Sequence, residues 1–254
     1  TTADIDGMEV KNGASLTIEG GNGKLNINSG SGNPIRLSNK QTETTGKTTL
    51  TIKDVTIDID NNARTQTAVY AYAENGEHNV EVNIEDGTVI NATGARNFCV
   101  VQLANNATLN VNGGVINASG MGSVFVAGRN DAAKDADDIV LNFNGGTVNI
   151  TGGTVIGIEC NYDATANING GEINISGECD DSYAVGASFG GHIYVNDGAV
   201  INVKATAGKA YAVAAIYSGS TVVLAKGSVV NLGDSNFNGL ADIMSTSVFI
   251  DNRE

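Results

Sequence analysis

Three stretches of this chain are near copies of one another: LNVNGGVINASG (109–120), LNFNGGTVNITGG (141–153) and ANINGGEINISG (166–177). Each alternates apolar and polar residues, turns at Gly-Gly, and alternates again. Looser copies precede them at 16–27 (LTIEGGNGKLNI), 50–59 (LTIKDVTIDI) and 82–92 (VNIEDGTVINA), and follow them at 193–203 (IYVNDGAVINV) and 222–232 (VVLAKGSVVNL). The second turn position falls near 21, 54, 87, 114, 146, 171, 198 and 227, a spacing of 25–33 residues. Repetition at such a period predicts stacked coils. The apolar period is 2 rather than 3.6, and Val, Ile and Thr dominate, so helical solenoids are excluded.

A third run completes each unit: TAVYAYA (67–73), FCVVQLA (98–104), SVFVAGR (123–129), TVIGIEC (154–160), SYAVGAS (182–188) and AYAVAAI (210–216). Each coil therefore has a first strand (the Tyr/Val/Ala run), a second (LNVN) and a third (VNIT). Three strands in roughly 28 residues predict a right-handed parallel β-helix, because hexapeptide coils are shorter and propeller blades longer. About eight to nine coils make one domain spanning residues 1–254.

Successive side chains on a strand face opposite ways, so Leu109 and Val111 point inward and Asn110 and Asn112 toward water. Coils repeat about every 4.8 Å, so like residues stack on like. Leu109 is expected over Leu141, Ala166 and Leu224 inside, and Asn110 over Asn142 and Asn167 outside. Stacked amides can hydrogen-bond along such a column. The turn glycines Gly87, Gly113, Gly114, Gly145, Gly146, Gly170, Gly171, Gly198 and Gly227 are expected to supply the corner conformations.

Insertions in a solenoid map to loops, often on a binding face. Three breaks stand out: SNKQTETTGK (38–47), AENGEHN (73–79) and GRNDAAKDADD (128–138), all between a first and a second strand. They make Glu74, Glu77, Arg129, Asp131, Lys134, Asp135, Asp137 and Asp138 candidates for ligand contact or self-association, with the outward Asn110, Asn142 and Asn167 beside them. No cofactor is expected, although an acidic loop is a place where Ca²⁺ binds. The first strand is apolar on both alternating sets: Val69, Cys99, Val124 and Val155 on one, Tyr70, Val100, Phe125 and Ile156 on the other. A strand of that kind is covered or serves as an interaction surface. Glu159 is the exceptional acid in these runs.

The formal charge of −14 excludes non-specific nucleic-acid binding and docking on anionic lipid, both of which need Lys and Arg. No apolar run of 18 residues marks a membrane-spanning helix. Cys99, Cys160 and Cys179 are too few and too far apart for a disulfide framework or a zinc site and are expected as buried or half-buried thiols. Glycosidase chemistry needs two suitably spaced carboxylates. The tight pairs Asp137–Asp138 and Asp180–Asp181 are sequence neighbours, which a strand would point opposite ways, and no catalytic metal signature occurs, so no catalysis is expected. A polysaccharide lyase or hydrolase is the first alternative, and a passive stalk the second.

The Asn-, Gly- and Thr-rich coils LNFNGGTVNITGG and VNIEDGTVINATGA resemble the passenger domains of autotransporter adhesins from diderm bacteria. The likeness is one of repeat style along nearly the whole chain. It implies a secreted or cell-surface protein that attaches to host or abiotic surfaces, glycans or matrix proteins, or to its own copies in biofilms. It also implies a segment of a longer chain that continues in both directions, an expectation to which TTADIDGMEV, which is no signal peptide, and the ending SVFIDNRE both contribute.

Overall fold

Short segments of alternating Val, Ile and Asn bury one face only by pairing with equivalent segments above and below. The structure, a computed structural model, describes residues 2–5, 7–21, 23–27, 33–39, 46–60, 66–73, 80–128, 138–217, 219–243 and 247–251. The regular elements among these residues are all strands. They pair in parallel from coil to coil, and the chain winds as a right-handed parallel β-helix.

One sheet stacks the nine second strands: Ser15–Glu19, Thr48–Lys53, Val80–Ile84, Ala107–Val111, Val140–Phe143, Thr165–Ile168, His192–Val195, Thr221–Ala225 and Ser247–Asp251. Nine strands at about 4.8 Å make a rod close to 40 Å long. The coil repeat runs from 25 residues (Leu141 to Ala166) to 34 (Leu16 to Leu50).

The third strand of one coil and the first strand of the next do not form separate elements in the middle of the rod. They fuse into long bent strands, Val89–Ala104, Val115–Ala127, Thr147–Asn161, Glu172–Ser188 and Val200–Ile216, within a single 13-stranded sheet. Register irregularities mark the bend, as between Gly94 and Phe98 and between Ala118 and Gly120. Gly120 sits at that corner with φ 104°, a region in which a side chain is strained.

The interior is built of columns. Leu16, Leu50, Val82, Leu109, Leu141, Ala166, Ile193 and Val222 are in register. Leu224 is not among them, contrary to expectation. It continues the neighbouring column of Val111, Phe143, Ile168 and Val195. In VVLA (222–225) the first inward residue is Val222, which pairs with Ile193, and Leu224 is the second, on the same face but one column along. The buried residues of both columns belong to one contiguous apolar cluster from Val10 to Leu224.

At the Gly-Gly turns the two glycines act differently. Gly114 has φ 89°, as the corner requires. Gly113 has no such dihedral. A Cβ there would run into the Asp86 carboxylate of the preceding coil, so its hydrogen is a matter of space. Gly145, Gly170 and Gly227 likewise lack the positive φ found at Gly87, Gly146, Gly171 and Gly198.

Candidate functional site

Asn110, Asn142 and Asn167 stand in one outward column. Asn142 donates from Nδ2 to Asn110 Oδ1 at 3.0 Å, Asn167 to Asn142 at 3.1 Å, and Asn110 to Asn83 at 3.0 Å. A second ladder climbs from Glu85 through Asn112, Asn144 and Asn169 to Asn196, with steps of 2.7–2.9 Å. A third, on the other sheet, runs from Asp58 through Asn91, Asn117, Asn149, Asn174 and Asn202 to Asn231. Each inner asparagine commits a donor and an acceptor to its neighbours. These columns hold the coils in register and do not converge on a pocket.

Glu74, Glu77, Arg129, Asp131, Lys134, Asp135 and Asp137 lie outside the described residues, and Asp138 is exposed where the chain approaches the strand Val140–Phe143. Among the described residues no group of three or more His, Cys, Asp or Glu is placed to hold a metal ion.

The doubly apolar first strand has a different geometry from simple alternation. Val100 and Val101, Val124 and Phe125, Ala184 and Val185, and Ala212 and Val213 are consecutive pairs that all join the core cluster. At Gly157, between such positions, a Cβ would meet the Ile173 side chain of the interior. Two successive residues thus point inward at each coil, and the strand bends around them. The residues on either side face out. Cys99 and Gln102, Ser123 and Val126, and Ile156 and Glu159 form two outward columns in register across three coils.

These six residues floor a groove of about 560 Å³, bounded by Thr67, Phe98, Met121, Thr154, Asn161 and Tyr162 among others. Glu159 is the one acid in its lining among the described residues. Ser123 Oγ donates to Glu159 Oε2 at 2.6 Å and Asn161 Nδ2 to Glu159 Oε1 at 2.8 Å. Ser188 Oγ donates in turn to Asn161 Oδ1. Thr67 donates to Gln102 Oε1 at 3.2 Å. No Lys or Arg lines the groove among the described residues, so the carboxylate charge is held by neutral donors alone. Burial, and then the charge of Glu159, push the Cys99 thiol far above its ordinary value. Burial likewise pushes Cys160 up to about 12 and raises Cys179. All three are buried free thiols.

Beyond Asn161 the chain turns through Tyr162 with φ 52°, and the equivalent turns of the next two coils carry Phe189 and Tyr217, also left-handed. The three rings stack, Tyr162 on Phe189 at 5.1 Å and Phe189 on Tyr217 at 4.2 Å between centroids. Phe189 and Tyr217 are 45% and 52% exposed. The same turn, between a first and a second strand, carries the three insertions in other coils. The sequence held one signal for this region, the single acid Glu159 in an apolar run. The aromatic stack escaped it, because Tyr162, Phe189 and Tyr217 lie in turns of unlike sequence.

Comparison of the chain with protein-family models, with curated proteins and with solved structures returns no match.

Proposed function

We propose that this chain is a non-catalytic segment of a cell-surface adhesin, of the kind displayed as autotransporter passengers, and that it mediates surface attachment or self-association. The observation that carries the reading is the exposed stack Tyr162–Phe189–Tyr217 on the turn edge from which the insertions also leave. Contiguous exposed aromatic surface is unfavourable in water unless a partner covers it, and it marks interaction sites. The asparagine ladders supply a stiff, polar scaffold that holds this edge in a line. Repeated weak contacts along such a line add by avidity.

The test is attachment of beads coated with the purified chain to abiotic and matrix-protein surfaces, together with bead clustering. Phe189→Asn combined with Tyr217→Asn removes the rings and keeps a residue tolerant of φ > 0. The pair is expected to lower attachment or clustering at least several-fold while the circular dichroism spectrum stays unchanged. Equal attachment by variant and parent, or new reducing ends released from a polysaccharide panel, would overturn the reading.

A further inference from the structure

The groove over Glu159 meets the aromatic turn edge at Tyr162 without including Phe189 or Tyr217, and its composition points to a ligand class. We infer that it is a binding site for an uncharged saccharide, with Glu159 and Gln102 as the groups that recognise hydroxyls and the Tyr162 ring as an apolar wall. Sugar hydroxyls are donors and acceptors at once, so a saccharide site needs both on fixed groups. Glu159 offers carboxylate lone pairs beyond the two used by Ser123 and Asn161. Gln102 accepts from Thr67 through its oxygen, which turns its amide nitrogen, a two-proton donor, elsewhere. Asn161 is itself held by Ser188, and the bonds from Asn161 and Ser123 fix the carboxylate before any ligand arrives.

Asn97, Thr67 and Thr154 add further polar groups to the lining, and Val126, Ile156, Met121, Phe98 and Tyr162 supply apolar surface. Phe189 covers Tyr162 from the following coil, while the groove lies over the preceding coils. The C–H face of a pyranose packs on such surface while its equatorial hydroxyls reach the polar groups. A groove of about 560 Å³ is in the range of small-molecule sites. Its floor crosses three coils, about 10 Å along the rod, which suits an oligosaccharide lying parallel to the axis.

Charge selects within the class. Glu159 has no cationic partner in the groove among the described residues, and the chain carries −14 overall. An anionic polysaccharide meets repulsion from both, and a neutral one meets neither.

This inference rests on the reading of the chain as a binding rod, and its test is separable from the attachment assay. The purified chain is titrated with soluble neutral oligosaccharides (gluco-, manno-, xylo- and N-acetylglucosamine series) and with oligogalacturonate, followed by calorimetry and by tyrosine fluorescence. At least one neutral series is expected to bind and oligogalacturonate not to. Glu159→Gln keeps the size and one acceptor and is expected to weaken binding about ten-fold. Gln102→Ala, on the half-exposed side, provides a second variant if the first does not fold, with a similar loss expected. Absence of binding by every neutral series at millimolar concentration overturns the inference, as does binding that both folded variants retain in full. Saccharide binding without bead attachment would sustain the groove and sink the adhesin reading, and attachment without saccharide binding the reverse.

Discussion

A carboxylate oxygen only accepts, so an asparagine stacked on one must present its nitrogen to it. Asn112 does so on Glu85 and Asn91 on Asp58, and Asn83 presents its nitrogen to Glu81 beside it on the same strand, at 2.8–2.9 Å. The oxygen of each then faces the next coil and demands a nitrogen there, and the choice propagates upward. All three ladders consequently point the same way, with nitrogens toward the N-terminal end, a carboxylate beneath two of them and Glu81 beside the foot of the third. Aligned amides of this kind polarise one another. Asn142→Asp places an acceptor where a donor is required. At neutral pH it is expected to lower stability by about 1–2 kcal/mol, as read by urea unfolding. The deficit should shrink relative to the parent as the new acid protonates and regains a donor. The three cysteines give a second residue-scale expectation. Buried and with raised pKa values, they should react with a thiol reagent at pH 8 only after denaturation.

At the scale of the element, each strand is stable only through its neighbours in the stack. Phe143 is fully buried between Val111 below and Ile168 above. Phe143→Ala leaves a cavity that a rod held on two sides closes poorly, and a loss of about 3–5 kcal/mol is expected on denaturant titration. Ion pairs join coils on the outside: Lys47 with Glu81 at 2.6 Å, and Lys24 with Asp58. Burial alone would raise the Glu81 carboxyl, but donation from Lys47 and Asn83 outweighs it and holds the group below its usual range. Asp58 is lowered against the same opposing burial by Lys24 and Asn91. A depressed folded-state pKa contributes stability above the ordinary carboxylate pKa, and the contribution disappears as pH falls through the depressed value. Thermal stability is therefore expected to fall below about pH 4.5, and Glu81→Gln should flatten part of that fall.

For the whole molecule, the net charge of −14 sets how copies meet. Mutual repulsion opposes lengthwise docking, and added salt screens it. Association measured by sedimentation is expected to strengthen between about 0.05 and 0.5 M salt, where the Debye length falls from roughly 14 to 4 Å. Weakening over that range would instead show that charge-paired contacts hold the copies together.

Much of this architecture was legible in the chain itself, for a physical reason. In a parallel solenoid the strand period decides what is inside, and the coil period decides what is stacked. Both are local properties of the text, so Leu109 under Leu141 and Asn110 under Asn142 followed from LNVN and LNFN alone. Leu224 was misplaced by one column because the pattern repeats every two residues, which shows the face of a residue and not which of two neighbouring inward columns it occupies. The groove could not be read in this way. It exists because Val124 and Phe125 both turn inward at a bend, which breaks alternation and throws Ser123 and Val126 to the outside. Only the packed coils decide where a strand bends, since the bend answers to the space between sheets. Only the stacking register brings Cys99, Ser123 and Glu159, residues of three different coils, under one opening.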